Sequence, residues 1–461
     1  MLKRLIGDRA FYRRVMAVAI PILIQNTITN FVSLLDNIMV GQVGTLEMSG
    51  VSIVNQLMFV FMLCVFGAVA GAGIFTAQFY GSQDHKGIRQ TFRFKILIGI
   101  AIGALGIAIF YFFGSNLIGM YLQGDTTPED AALTLRHSHD YLIVMLFGLL
   151  PFALSNAYSS TLRETGQTFV PMAAGICAVL VNLVLNYVLI FGHFGAPVMG
   201  VRGAALATVI SRYTELAIVA GWTHLHGDRH PFIRGAYRSL HIPLNLLKQI
   251  AIKGMPLLIN EFLFSSGMAV MNQCYSVRGL EVVAALNIST TLYNLGSVAF
   301  LTLGNVVGII MGQMMGARHT KEEIQDSHRK LTALSVASCF LFGVLLIAVS
   351  GLFPLIYNTS DSVRDLAAQL ICVAAVFMPF NAYIHSAYFA MRSGGKTFVT
   401  FLFDSGFVWC LNVPLAYCLS RFTGIPIVPL YALCLSTDIL KCLVGYFMIR
   451  SGKWIQNLTN V

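Results

Sequence analysis

The chain has 461 residues, 56% of them hydrophobic and only 11% charged, with a mean hydropathy of +0.73. A soluble domain of that length needs a charged, solvated surface that this composition does not supply, so a water-soluble enzyme or binding module is excluded. The net charge of +10 suggests a polyanion partner, but its placement along the chain gives it another origin.

The start, MLKRLIGDRAFYRRV, is basic and amphipathic and lacks the early apolar core and cleavage site of a signal peptide. It is expected to lie on the membrane face before the chain turns in. Apolar runs then recur at 15–39, 51–79, 94–114, 138–160, 168–192, 201–222, 247–275, 284–313, 330–354, 366–389, 398–420 and 427–449. Each is long enough to cross a hydrocarbon core roughly 30 Å thick. With the N-terminus inside, only Arg136, Arg202, Arg278, Arg364 and Arg421 fall outside, while Arg212 and Lys441 lie within spans. The remaining Lys and Arg are cytoplasmic, which is the positive-inside rule, and no nucleic-acid partner is expected. Both termini are then cytoplasmic, and the chain is expected in the cytoplasmic (plasma) membrane. The nine cysteines fall inside apolar runs without CxxC or His/Cys ligand spacing, so they read as reduced packing residues.

The two halves repeat. AIPILIQN (19–26) matches GMPLLINE (254–261), and AQFYGSQDHKGIRQ (77–90) matches GQMMGARHTKEEIQ (312–325). LRETGQTFVP (162–171) pairs with MRSGGKTFVT (391–400), and LVLNYVL (183–189) with VPLAYCL (413–419). The fold class expected is therefore an all-α polytopic membrane protein of twelve transmembrane helices, built as two six-helix repeats. Because each repeat has an even number of spans, the two lobes are related by a pseudo-two-fold axis along the membrane normal. The lobes are 1–222 and 250–461, joined by a cytoplasmic connecting segment at 223–249. Two such lobes suit alternating access better than a channel, which more often repeats as separate subunits around a pore. No Walker A pattern, nucleophile elbow, HExxH motif or dinucleotide turn is present, so no enzyme and no directly ATP-driven pump is indicated.

The stretches AIPILIQNTITNFVSLLDNIMVGQVG, AQFYGSQ and NLVLNYVLIFGHFGAPVMGVRGAALAT, with the LRETGQT/MRSGGKT pair, resemble the multidrug and toxic compound extrusion (MATE) family, in its bacterial NorM and DinF branches. The resemblance covers nearly the whole chain. It implies a secondary exporter of small amphiphilic or cationic organic substrates in exchange for H⁺ or Na⁺, with no cofactor, working as a monomer among membrane lipids. It also implies a functional carboxylate fifteen residues after a Pro in the first span, the relation of Asp36 to Pro21. The family completes this amino-lobe site with a polar pair in the fifth span and a Thr in the sixth, here Asn182, Asn186 and Thr208. Some relatives carry Asp where this chain has Asn186, so H⁺ and Na⁺ both stand open. NorM-type relatives place a Glu and an Asp in the carboxy lobe. The nearest counterparts here are Glu261, one turn early, and Asn381, while Asp404 supplies an acid in the eleventh span. Glu261, Asp404 and Asn381 are the expected substrate or cation residues of that lobe.

Independently of family, an ionisable group within a span costs a few kcal/mol and is usually paired or faces a watery cavity. Arg212 with Glu215, and Asp438 with Lys441, are spaced to pair on one helix face; Lys441 also has Asp404 at similar depth. Asp36 and Glu261 have no such neighbour in sequence. Asp36, Asn182, Asn186 and Thr208 offer a hard cation such as Na⁺ four oxygen-bearing groups, or a carboxyl that takes up a proton. His385 reads as a packing or hydrogen-bonding residue. A flippase of lipid-linked or polysaccharide precursors is the alternative, disfavoured by the scarcity of intramembrane basic residues.

Overall fold

The computed structural model describes residues 5–122, 128–357 and 359–459. Among them no strand occurs, and twelve helices are long and apolar enough to cross a membrane. They are α1 (Arg9–Gly41), α2 (Thr45–Gly81), α3 (His85–Gly119), α4 (Pro128–Glu164), α5 (Phe169–Phe191) and α6 (Gly200–Leu225). The second six are α7 (Leu244–Ser276), α8 (Leu280–Gly316), α9 (Lys321–Val349), α10 (Asp361–Ser393), α11 (Thr397–Phe422) and α12 (Ile427–Arg450). The basic start does not form a separate surface segment that turns at residue 15: the helix runs unbroken from Arg9 into the span, with Pro21 inside it. Residues 1–4 of that start and the Asn37 side chain lie outside the described residues.

The internal repeat reaches down to single backbone torsions. Proline interrupts the hydrogen-bond ladder of α1 (Pro21), α4 (Pro151), α7 (Pro256) and α10 (Pro379), which are matching helices of the two halves. The α2–α3 and α8–α9 turns each put a non-glycine residue in the left-handed region, Gln83 at φ 58° and Arg318 at φ 60°. After α4 and α10, Gly166 (φ 81°) and Gly395 (φ 74°) take the same conformation, which only glycine adopts freely. There Gln167 N donates to Leu162 O and Lys396 N to Met391 O. The common R-x-x-G-x-T wording therefore encodes one helix-ending turn used twice.

Side-chain caps set several starts. Asp84 accepts from Lys86 N and Gly87 N at the start of α3, Thr320 and Glu323 form a reciprocal capping box on α9, and Ser360 caps α10.

By packing, the chain divides into two compact units. One comprises Met1–Leu23, Ala77–Gln83 and Met255–Val461; in it Val15 and Ile22 of α1 join a core with Val306, Met311, Ala387 and Met391. The other comprises Ile24–Thr76 and Asp84–Gly254, with Val54, Val65, Ile118, Leu142 and Ala205 at its centre. The nine cysteines are all free.

The connecting segment between α6 and α7 is folded against its unit. Arg89 donates to the carbonyls of Pro231 and Phe232, and Arg93 to those of Gly235, Ala236 and His241. Phe232, Ile233 and Ala236 are buried, and Phe92 packs its ring on Phe232 and Tyr237. Two arginines one turn apart on α3 thus satisfy the carbonyls of an irregular segment, which has no ladder of its own to do so.

Candidate cation-coupling site

Close helix approach positions the amino-terminal site. A Cβ on Gly203 would lie 2.6 Å from the carbonyl oxygen of Leu189, so α6 rests against α5 where only glycine fits. A Cβ on Gly175 would meet the Gln25 amide at 2.7 Å, so the Gln25 side chain of α1 packs over α5 at that glycine. Asp36 on α1 then faces Asn182 and Asn186, one turn apart on α5, and Thr208 on α6. Asn186 Nδ2 donates to Asp36 Oδ1 at 2.6 Å and to Asn182 Oδ1 at 3.2 Å. Thr208 Oγ1 donates back to Ala204 O and lies 3.2 Å from Asn182 Nδ2. With the Asn182 amide turned over, its nitrogen donates to both Asp36 oxygens at 2.9 and 3.0 Å, while its oxygen accepts from Thr208. Asn182 and Asn186 are buried, and Asn186 Oδ1 has no hydrogen-bond partner.

Asp36, Asn186 and Thr208 border a cavity of about 260 Å³, with Asn182 behind them. Its wall also includes Asn55, Tyr141, Phe152 and Arg212. Sequence reasoning missed Asn55 and Tyr141: isolated polar residues of an apolar span carry no signal of which face they occupy. The expected Arg212–Glu215 pair is not closed: among the described residues no ion pair within 4.0 Å joins them, although the two lie within electrostatic reach. Arg212 instead lays its guanidinium 4.3 Å above the ring of Phe152.

In the carboxy-terminal half the expected residues are brought into separate sets. Asp404 lies in a widened π-helical turn at Leu402–Gly406, followed by another at Val408–Asn412; such turns often mark functional sites. Its Oδ1 accepts from Lys441 Nζ at 2.8 Å and its Oδ2 from Asn260 Nδ2 at 3.1 Å. Asn260 also donates to the Tyr388 hydroxyl and accepts from Ser405. Asn260, adjacent to the expected Glu261, is thus the α7 residue that enters the network. Glu261 is partly exposed and within electrostatic reach of Arg392 and Asp404. Asn381 donates to Asp438 Oδ2 at 3.2 Å, not to Asp404. The Asp438–Lys441 pair expected on one helix face is accordingly replaced by two pairings across helices. His385 donates from Nδ1 to Asn381 O and packs on Phe300, as a hydrogen-bonding core residue.

One buried pair was not legible at all. Lys95 on α3 is fully buried and bonds Glu164 on α4 at 2.5 Å, with Ser160 and Thr161 as further partners. Gly73 makes room, since a Cβ there would sit 2.3 Å from Glu164 Oε1. Among the described residues no group of three or more His, Cys, Asp or Glu gathers as a metal site.

Comparison with known proteins agrees with this architecture. The MatE family model matches residues 21–188 and 256–418, the first five spans of each repeat. The probable multidrug resistance protein NorM of Thermotoga maritima is 23% identical over 444 residues, covering 96% of this chain and 93% of that protein. The multidrug resistance protein PmpM of Pseudomonas aeruginosa is 24% identical over 423 residues, 91% of this chain and 86% of its own. Among solved structures, a variant of the Vibrio cholerae MATE transporter VcmN superposes with a TM-score of 0.86 at 18% identity, over 98% of both chains. An outward-facing multidrug resistance MATE transporter of the MOP superfamily superposes with a TM-score of 0.83, also at 18% identity and over 98% of both. With its two six-helix repeats and this match over both of them, the chain belongs to the MatE family: it is a multi-pass membrane transporter and not an enzyme.

Proposed function

We propose that this protein exports small amphiphilic or cationic organic molecules across the plasma membrane by alternating access, in exchange for protons loaded at Asp36. Both termini face the cytoplasm, the working lobes are 1–222 and 250–461, and the unit of function is the monomer. The names of the relatives support the substrate class. The observation that carries the coupling is the set of groups around Asp36. Two amides can aim N–H donors at its oxygens, which suits an ionised carboxylate, and charge-assisted bonds of this kind contribute about 1.5–3 kcal/mol. Beside them Asn186 Oδ1 is buried without a donor. A proton on Asp36 removes the charge the amides serve and supplies the missing donor, so protonation switches the bonding that joins α1 to α5. A bound Na⁺ would need Asn182 and Asn186 to present oxygens and would keep the carboxylate ionised; with one carboxylate in the group, the proton reading is the better supported.

The test is uptake of a fluorescent organic cation by proteoliposomes under a H⁺ or a Na⁺ gradient imposed separately. Uptake driven by the H⁺ gradient and lost in Asp36→Asn is the expected result. Uptake driven only by Na⁺ refutes the proton assignment. No uptake under either, with scrambling of labelled lipid-linked sugars, would replace the exporter reading by a flippase.

A further inference from the structure

Arg212 gives the Asp36 cavity a second, opposite charge. It lies on α6 one turn beyond Thr208, its stem 3.9 Å from where a Cβ on Gly148 would sit, and its side chain lines the cavity that Asp36 also lines. Tyr141, on the same wall, is within electrostatic reach of both Asp36 and Arg212. Among the described residues Arg212 has no ion pair within 4.0 Å. Its guanidinium rests on the Phe152 ring, and Glu215, three residues on along α6, is within electrostatic reach without an ion pair inside 4.0 Å, so the N–H edges keep donors for a further carboxylate.

Charge balance then bears on what the cavity accepts. With Asp36 ionised the two charges cancel, so a simple monocation gains the attraction of one and suffers the repulsion of the other. With Asp36 protonated the wall keeps only the Arg212 charge, offset in part by Glu215 within electrostatic reach, and a cation loses its attraction. A molecule carrying a cationic centre and a carboxylate satisfies both walls at once, and its carboxylate stays paired with the planar fork of Arg212 whatever the state of Asp36. We propose that Arg212 is a specificity-determining residue that forms an anion subsite in this cavity, so that the preferred substrates are zwitterionic or carboxylate-bearing amphiphiles rather than plain organic cations.

This rests on the exporter reading above, deepens its substrate class, and is testable by binding alone. Rhodamine 110, which carries a free carboxylate beside its cationic ring system, and rhodamine 123, its methyl ester, differ only at the group Arg212 would hold. Fluorescence polarisation with purified protein in detergent gives Kd for each. The wild type is expected to bind the acid several-fold more tightly than the ester. Arg212→Gln is expected to weaken the acid by about tenfold while changing the ester by less than twofold or tightening it. Arg212→Lys, which keeps the charge, should retain part of the acid preference, and equal thermal midpoints of the three proteins exclude a folding defect. An acid-to-ester ratio that is the same in wild type and Arg212→Gln overturns the proposal, as does binding of the ester without the acid. That second result leaves the exporter reading standing, whereas failure of both dyes to bind the wild type, with no dye uptake under a gradient, removes both.

Discussion

Lys441 Nζ lies 2.8 Å from Asp404 Oδ1, joining α12 to α11, with the two side chains 6% and 18% exposed. The ammonium also lies 5.2 Å from the Phe403 ring and 5.8 Å from that of Phe407. Asp438, three residues from Lys441 on the same helix, is held by Asn381 instead. A buried lysine takes the partner that desolvates with it, and the widened turn at Leu402–Gly406 brings Asp404 to that partner.

This relation predicts a strongly non-additive double-mutant cycle. Lys441→Met leaves a buried carboxylate without its cation and is expected to cost about 3–5 kcal/mol. Asp404→Leu should cost a similar amount by stranding the ammonium. Combining the two removes both charges, and the double variant should regain most of the loss. Thermal unfolding in detergent measures all four proteins. Additive losses would mean that the two groups act independently in the fold.

At the amino-terminal site the prediction concerns transport rather than stability. Asn186→Leu removes the 2.6 Å donor to Asp36 and the orphaned Oδ1 together. Loss of one charge-assisted bond, about 1.5–3 kcal/mol, corresponds to roughly a tenfold to hundredfold fall in gradient-driven uptake if that bond is made in only one state of the cycle. Equilibrium binding of the same dye in detergent should fall by less than uptake does, because Asn186, although it borders the cavity, acts on transport through Asp36. Equal falls in binding and uptake would assign Asn186 to the substrate instead.

The spans and the repeat were readable because each is a property of many residues. An apolar run of twenty, or a turn motif used twice, survives local error. Pairing between side chains is different. Asp36, Asn182, Asn186 and Thr208 come together from three helices; Asp36 stood out as an unpaired acid in an apolar run, and the others were identifiable by similar depth and by their resemblance to family positions. Lys441 was expected on Asp438 from spacing along one helix, with Asp404 open at similar depth; the π-helical turn that decides for Asp404 has no sequence mark. Lys95 and Glu164 stood at the ends of their runs, where charges ordinarily meet water, so nothing set them apart. Their burial follows from Gly73, whose missing side chain makes the space.

Gln78, near the C-terminal end of α2, is fully buried and holds the C-terminal tail. Its Nε2 donates to Ser393 O at 2.9 Å and Gln456 O at 3.0 Å, and its Oε1 accepts from Leu458 N at 2.6 Å. Trp454 is buried alongside, its ring 5.7 Å from that of His328. Gln78→Leu keeps the volume and removes all three bonds, each lost partner costing about 1–3 kcal/mol if it stays buried. The tail is then expected to detach, with tryptic cleavage at exposed Lys453 accelerated about tenfold or more in limited proteolysis. An unchanged cleavage rate would show that Trp454, with the bond from Asn457 Nδ2 to Met315 O, anchors the tail without Gln78.

The folded connection between α6 and α7 should loosen in acid, through His230. This imidazole is 5% exposed, its Nε2 has no hydrogen-bond partner, and it packs 5.1 Å from Trp222 and 5.9 Å from Phe232, ring centre to ring centre. Burial lowers its pKa below the usual value, and the neighbouring His226 and Arg229 lower it further. Because the folded state disfavours the proton, the stability His230 lends is fully present above its unfolded pKa of about 6.5. It is lost as pH falls through the lower folded value. Hydrogen exchange of the amides at 230–241, corrected for intrinsic rates, should therefore show protection that is flat above neutrality and declines toward pH 5. His230→Phe keeps an aromatic ring in the pocket and removes the titration, so its protection should stay level over the same range. If the variant loses protection in acid as the wild type does, the loosening arises from another group, and the arginine bonds from α3 become the place to look.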